Sequence, residues 1–349
     1  MKINVLVRFF AVISLFFSMH SIAFPEINAY RGLILAEESA ENDLREQALE
    51  QVLIKISGNV DIIKLDESKV LKRKISSMLA QFGYQNIAGK RYYYAQFDQR
   101  KINDALIDMQ QPIWGDTRPT PLIWLVNERR KITSEHMINS SQDSAVSWGL
   151  KKTELKRGIS AQFPLIDLDD SLAIASSDIS GRFYQTVAQA SRRYDAEYFV
   201  IANIVKTRDK KWQLKWELVH YAAQGKQSNV LISQTNSGSK SYVMAAMLNE
   251  IADYYAQQFA ILESNGKKLT QILSIHHVDS LANLIHLNAV LESLNAIDTF
   301  EVVKINEHEV EVLVTLKGGL ISLGNALNAQ YNLQSDLSTA SPFNYNWLP

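Results

Sequence analysis

Pro121-Leu122-Ile123-Trp124-Leu125-Val126 is a short, nearly all-apolar run. It is too brief for a helix, and it lacks the alternation of a strand with one wet face. A strand covered on both faces fits it, as in a layered α/β sheet. The flanking sequence agrees. Glu197 to Lys206 reads as a strand. Lys211 to Tyr221 reads as another, with Trp212, Leu214, Trp216 and Leu218 opposite Gln213, Lys215 and Glu217. Thr207-Arg208-Asp209-Lys210 between them has the length of a hairpin loop. Helical spacing marks a helix through Ala145, Leu150 and Leu155 that ends at Gly158, another over Ile179 to Tyr194, and a long amphipathic one over Tyr242 to Leu262. Phe163 to Asp167 reads as a short strand. Residues 118–264 are therefore expected to form a three-layer α/β unit.

On the N-terminal side, residues 24–117 are expected to be a separate strand-helix-helix-strand-helix α/β unit. Asn28 to Ala36 is its first strand. Ser39 caps a helix striped by Leu44, Ala48, Val52 and Ile56 and stopped at Gly58. A second helix starts at Asp66 and runs through Phe82 to Gly83. Lys90 to Asp98 is a strand, and Asp98 caps a helix carrying Ile102 and Leu106. Pro112, Gly115, Pro119 and Pro121 punctuate the exit.

On the C-terminal side, residues 267–349 read as β-α-β-β-α-β, the ferredoxin-like split unit. Its strands are Leu269 to Val278, Thr299 to Ile305, His308 to Leu316 and Tyr331 to Leu337. Asp279 caps its first helix. Val310, Val312, Val314 and Leu316 share one face, and Gly318-Gly319 opens its second helix. The fold class is thus α/β and α+β in three small units.

The address comes from the start of the chain. Lys2 and Arg8 precede the apolar run Phe9 to Phe17, and Ser21-Ile22-Ala23 follows with small residues at both positions a signal peptidase reads. Residues 1–23 are expected to be a cleavable leader, with a periplasmic mature chain beginning near Phe24. No later segment is apolar enough to stop transfer. The 349 residues include no cysteine, which rules out disulfides, a thiolate metal site, a cysteine nucleophile and a lipid-modified N-terminal cysteine. Removing Lys2 and Arg8 with the leader takes the formal charge from -1 to -3. That leaves no basic field for nucleic acid or anionic lipid, and the runs Lys72-Arg73-Lys74 and Glu128-Arg129-Arg130-Lys131 are short.

No catalytic or cofactor motif occurs. Asp167, Asp169 and Asp170 form the densest acidic cluster, without the glycine and distal glutamate of a calcium loop, and Asp170-Ser171 fits a turn or helix cap. His276, His277, His286 and His308 share the third segment, but His276 and His277 point to opposite faces of a strand. Gly318-Gly319 lacks the rest of a phosphate-binding loop, and no Gly-x-Ser-x-Gly elbow exists. No metal or cofactor is called for. Aromatic side chains are the other candidates: Trp114, Trp124, Trp212 and Trp216 as core or contact residues, and Phe343, Tyr345 and Trp347, which alternate along the tail and suit docking on a sheet edge. Arg118, flanked by proline and close to Trp114, is expected to stack and bond backbone at the junction of the first two units.

The run Ala48 to Gly58, Tyr84, Phe97-Asp98, the stretch Pro112-Ile113-Trp114-Gly115-Asp116-Thr117-Arg118-Pro119, Trp124-Leu125, Arg157-Gly158, Phe163 to Asp167 and Tyr194-Asp195-Ala196 together resemble the domain of unknown function 2066 family of Gram-negative bacteria. The resemblance implies an exported protein of unassigned activity and supplies no catalytic residues. The middle unit is also similar to small α/β domains of envelope assembly factors, such as penicillin-binding-protein activators and the N-terminal domain of the Tol-system propeller protein. The opening of the first unit is similar to flagellar assembly protein T. Those likenesses imply protein binding, at the level of fold alone. The expectation is a non-enzymatic periplasmic adaptor or assembly factor with envelope proteins as partners. The rivals are a glycan or peptide hydrolase built on scattered carboxylates, and a small-ligand binder.

Overall fold

The computed structural model describes residues 28–36, 40–87, 89–115, 118–127, 136–138, 143–221, 228–262, 269–294, 296–306, 309–328, 330, 332–336 and 342–348. The expected leader, the Ser39 cap, the basic run at 128–131 and His308 lie outside them.

The chain is a mixed α/β protein of several units, with three sheets among the described residues. The first unit runs β1 (Arg31–Leu35), α1 (Glu41–Ser57), a 3-10 turn at Val60–Lys64, α2 (Asp66–Arg73), α3 (Ile75–Met78), β2 (Leu79–Ile87), β3 (Lys90–Phe97) and α4 (Gln99–Asp108). Its antiparallel sheet has the order β1-β3-β2. Leu44, Ala48, Leu49, Val52, Leu53 and Ile56 of α1 are buried with Tyr93, Ala95 and Phe97 of β3. The sequence suggested that the second helix continues to Phe82. Instead the chain turns to β structure at Leu79. The spacing of Met78, Leu79 and Phe82 suits a helix, but Gln81 to Ile87 lies opposite the aromatic strand β3, and cross-strand pairs such as Tyr84 with Tyr93 take precedence.

The second unit runs β4 (Leu122–Asn127), β5 (His136–Met137), α5 (Ser144–Arg157), α6 (Leu168–Ala173), α7 (Ser176–Ser180), α8 (Tyr184–Ser191), β6 (Tyr198–Lys206), β7 (Trp212–Tyr221), β8 (Ser228–Gly238) and α9 (Lys240–Phe259). Its sheet order is β5-β4-β6-β7-β8, with β4 and β6 parallel and the other pairs antiparallel. Ile123 and Leu125 face α5 and α9, whereas Leu122, Trp124 and Val126 face α7 and α8. Both faces of the opening run are thus covered, in three layers. The expected helix over 179–194 is broken into α7, α8 and a 3-10 turn at Arg192–Tyr194. Gly181 and Arg182 (φ 60°) make the break. Phe163 to Asp167 forms no strand; Gln162 makes one bridge to Leu122, and Asp167 caps α6. Strand β8 had no sequence signal, because its serines, threonine and asparagines read as loop.

The third unit runs β9 (Thr270–His276), α10 (Leu281–Ser293), β10 (Ile297–Ile305), β11 (Glu309–Leu316), α11 (Leu320–Asn328), β12 (Leu333–Ser335) and β13 (Asn344–Trp347). Ser280, not Asp279, caps α10. The sheet order is β10-β11-β9-β13-β12. The first three places match a ferredoxin-like unit. The fourth does not, because the tail strand β13 lies parallel to β9 and separates it from β12. Burial of Phe343, Tyr345 and Trp347 in the third core explains the insertion. Removing three aromatic side chains from water outweighs the irregular pairing. Among the described residues, no helix is long and apolar enough to cross a membrane.

Candidate functional site

The first two units meet where two helices end. Helix α1 stops at Gly58 (φ 69°) and α5 at Gly158 (φ 70°), both in the left-handed conformation that glycine adopts without strain. A helix end leaves carbonyls without helical partners, and burial of both ends makes those partners obligatory. One side chain serves both. Arg118 donates from Nη2 to the Lys55 carbonyl (2.8 Å) and the Trp114 carbonyl (2.9 Å). Its Nη1 donates to Arg157 O (3.2 Å) and Gly158 O (3.0 Å), and its Nε to Gly115 O (3.1 Å). The guanidinium lies 4.4 Å from the centroid of the buried Trp114 ring. The backbone N–H of Trp114 donates to Ile56 O.

Arg157 answers from the second unit. Its buried guanidinium donates to Gly58 O (2.9 Å) and Asn249 O (3.3 Å), and pairs with Asp253 at 2.6 Å. Lys55, also buried, donates to Arg31 O (2.8 Å). Burial, then the neighbouring Arg118 and Arg31 charges, pull the Lys55 ammonium down to about 7. The linkers join the same knot, since Ile113 and Ile261 exchange backbone hydrogen bonds at 2.7 and 2.9 Å.

Beside this knot runs a groove of about 620 Å³ between the outer edge of β1 and helix α5. Leu33, Leu35, Ile54 and Tyr92 line it from the first unit, and Trp148 and Leu155 from the second. Gln51 fills the strand-edge position at Leu33, accepting from its N–H (2.6 Å) and donating to its carbonyl (3.3 Å). Trp148 is 47% exposed, with Lys90 Nζ 4.4 Å from its ring centroid. Sequence reasoning missed Trp148, because an isolated tryptophan within a helix carries no sign of which face it takes.

The other expected residues lie apart. Trp124 is buried and donates to Ser191 Oγ (2.9 Å). Trp216 is buried and donates to Asn236 Oδ1 (2.7 Å). Trp212 is half-buried, with Lys240 Nζ 4.1 Å from its ring centroid. Phe343, Tyr345 and Trp347 belong to the third core. Asp167 accepts from both terminal nitrogens of Arg193 at 2.6 Å and from the N–H of Asp170. The Arg193 guanidinium holds the Asp167 carboxyl well below the usual carboxylate range. Asp170 is buried, accepting from Tyr194 Oη (2.6 Å) and Ile166 N (2.7 Å), whereas Asp169 is exposed. This is a helix cap locked by an arginine, and a depressed carboxyl is the opposite of a general acid. His276 pairs in register with Glu309, and His286 is exposed. Among the described residues, no three His, Asp or Glu side chains are placed to share a metal ion.

Residues 33–115 match a family model described as Domain of unknown function (DUF8605). This overturns the resemblance to family 2066. Of the residues that suggested it, 48–58 are the end of α1 and its glycine stop, and the carbonyls of Trp114 and Gly115 are tied by Arg118. No curated protein matches the chain. Among solved structures, a variant PelC dodecamer from Paraburkholderia phytofirmans is similar at 9% identity, covering 41% of this chain and 91% of that one with a TM-score of 0.22.

Proposed function

We propose that the chain is an exported periplasmic adaptor or assembly factor of the cell envelope that acts by holding another protein. The groove along β1 and α5 carries this reading. It is mostly apolar, it presents a half-exposed tryptophan, and it is framed by two units that Arg118 and Arg157 fix to each other. A preformed apolar trough beside a strand edge accepts an extended segment with little ordering cost. The charged start and apolar run at 2–17 support export.

The test places a photo-crosslinking amino acid at Trp148 or Leu155 in living cells, with Ile305 on the third unit as control. A single adduct of reproducible mass at both groove positions, absent at Ile305, is expected. Identical adduct patterns at all three positions sink the reading. N-terminal sequencing of chain recovered from the periplasm, beginning near Phe24, is expected from the export half of the proposal. Recovery of intact residues 1–23 on cytosolic protein refutes it.

A further inference from the structure

A second cavity, of about 310 Å³, opens on the α7/α8 face of the middle sheet. Its floor is three cross-strand pairs of β6 and β7: Ile201 with Glu217, Asn203 with Lys215 and Val205 with Gln213. Ser180 and Arg182, at the break between α7 and α8, form its wall. The cavity lies toward the carboxyl ends of the parallel strands β4 and β6. Its floor is the antiparallel β6–β7 pair, on the part of the sheet face that α7 and α8 leave uncovered.

The face is apolar under the helices, at Trp124, Phe199 and Val219, and becomes polar where they stop. The polar groups are mostly donors. Glu217, the acid of the set, is buried and already engaged: Tyr184 Oη donates to Oε2 (2.8 Å), Ser233 Oγ donates to Oε1 (3.2 Å), and Arg182 pairs with Oε1 at 3.3 Å. It thereby holds the Arg182 guanidinium at the cavity wall. Lys215 is exposed and Gln213 and Asn203 are half-buried, and Lys215 Nζ, Gln213 and the Asn203 amide nitrogen donate to no partner among the described residues, so they face the water that fills the cavity. With Arg182 balanced by Glu217, Lys215 leaves the cavity one positive charge in excess.

We propose that this cavity binds a small polyhydroxylated anion, a sugar phosphate or sugar acid. Its acid group would sit between Lys215 and Arg182, its hydroxyls on Asn203, Gln213 and Ser180, and its carbon face on Ile201 and Val205. Cation and planar fork suit a phosphate or carboxylate. The amides read hydroxyls as both donor and acceptor. The volume stands at the small end of ligand pockets.

The experiment is calorimetric titration of the full chain with glucose 6-phosphate, glucuronate, glucose and inorganic phosphate, alongside the side-chain amide NMR signals of Asn203 and Gln213. Saturable heat with glucose 6-phosphate, glucuronate or both, with shifts of those two amide signals and weaker binding of glucose and phosphate, is expected; which acid binds identifies the source. Lys215→Gln and Asn203→Leu should each weaken binding roughly tenfold or more while circular dichroism and melting stay as in the parent. Absence of heat with every probe up to about 10 mM, well above the range of specific ligands, overturns the proposal. So does equal affinity in Lys215→Gln, or phosphate binding as tightly as the sugar phosphate.

Discussion

Arg118 and Arg182 carry the same guanidinium in opposite settings. Arg118 is enclosed by five backbone carbonyls drawn from two helix ends and a linker. Arg182 stands 53% exposed at a cavity wall, held on one side by Glu217, with Lys215, Asn203 and Gln213 beside it. Where donors are saturated by the chain's own acceptors, their role is complete within the fold. Where several line an open cavity, as exposed Lys215 and Arg182 do, water serves as their acceptor and a ligand can displace it. The contrast separates a structural knot from a binding site more sharply than charge or burial alone.

The contrast breaks most readily at the knot. Arg118→Ala leaves the carbonyls of Lys55, Arg157 and Gly158 without that partner in a half-buried setting. It is expected to cost about 3 kcal/mol in urea unfolding, at the upper end for charge-assisted bonds. Limited proteolysis should then open the linker between 109 and 121. Arg118→Lys should recover little, because a point charge cannot span the two helix ends. An unchanged cleavage pattern in Arg118→Ala would show that the linker is held elsewhere, with Ile113 and Ile261 the first place to look.

A finer cut separates backbone strain from loss of the arginine. A Cβ added at Gly158 would stand 2.6 Å from Arg118 Nη1, whereas one at Gly89 meets nothing within 4 Å, and both glycines have positive φ. Gly89→Ala should cost about 1 kcal/mol from conformation alone. Gly158→Ala should cost about 2 kcal/mol, since the guanidinium must also shift. Equal losses in thermal or urea unfolding would mean that the Arg118 contacts contribute little.

How far the sequence revealed this arrangement depended on the kind of information each part needs. The run at 121–126 revealed its layers, because burial on both faces leaves no polar residue in it. Val310 to Leu316 revealed its one buried face by alternation. Strand β2 was hidden because Leu79 and Phe82 fit helical spacing until a partner strand is known. The alternating aromatics of β13 marked a strand suited to docking on a sheet, but its place between β9 and β12 was hidden, because the pairing with β9 joins residues some seventy positions apart. The site divided in the same way. Pro119 next to Arg118 marked a junction, but the acceptors of Arg118 lie on two helices from different units. Lys215 and Gln213 were legible only as the polar side of an alternating strand; that α7 stops short and leaves them uncovered is a tertiary fact.

Lys55 extends the comparison to pH. Its folded-state pKa, about 7, lies below the 10.5 of an ordinary lysine. Between those values the unfolded chain holds the proton and the folded chain has released it, so the unfolded state binds more protons and stability rises with pH. The expected gain is about 1 kcal/mol per pH unit from about pH 7 to about pH 9. Above that, buried Tyr198 and Tyr255, whose hydroxyls burial pushes up, oppose it, because unfolded tyrosine ionises first. Urea midpoints across this range should climb in the parent and stay flat in Lys55→Met. A parallel climb in the variant would assign the effect to another group.

The smallest effect sharpens the comparison most, because it is expected to be nearly zero. Lys215→Gln removes a cation that bonds nothing among the described residues, so unfolding in urea should change by no more than about 0.5 kcal/mol. Glu217→Gln, two positions along the same strand face, disturbs a buried carboxylate that receives Tyr184, Ser233 and Arg182. It should cost about 1–2 kcal/mol. The two substitutions touch one cavity, so the difference between them isolates groups the fold uses from groups it leaves over. If Lys215→Gln costs as much as Glu217→Gln, Lys215 has an acceptor within the chain and the cavity belongs with the knot.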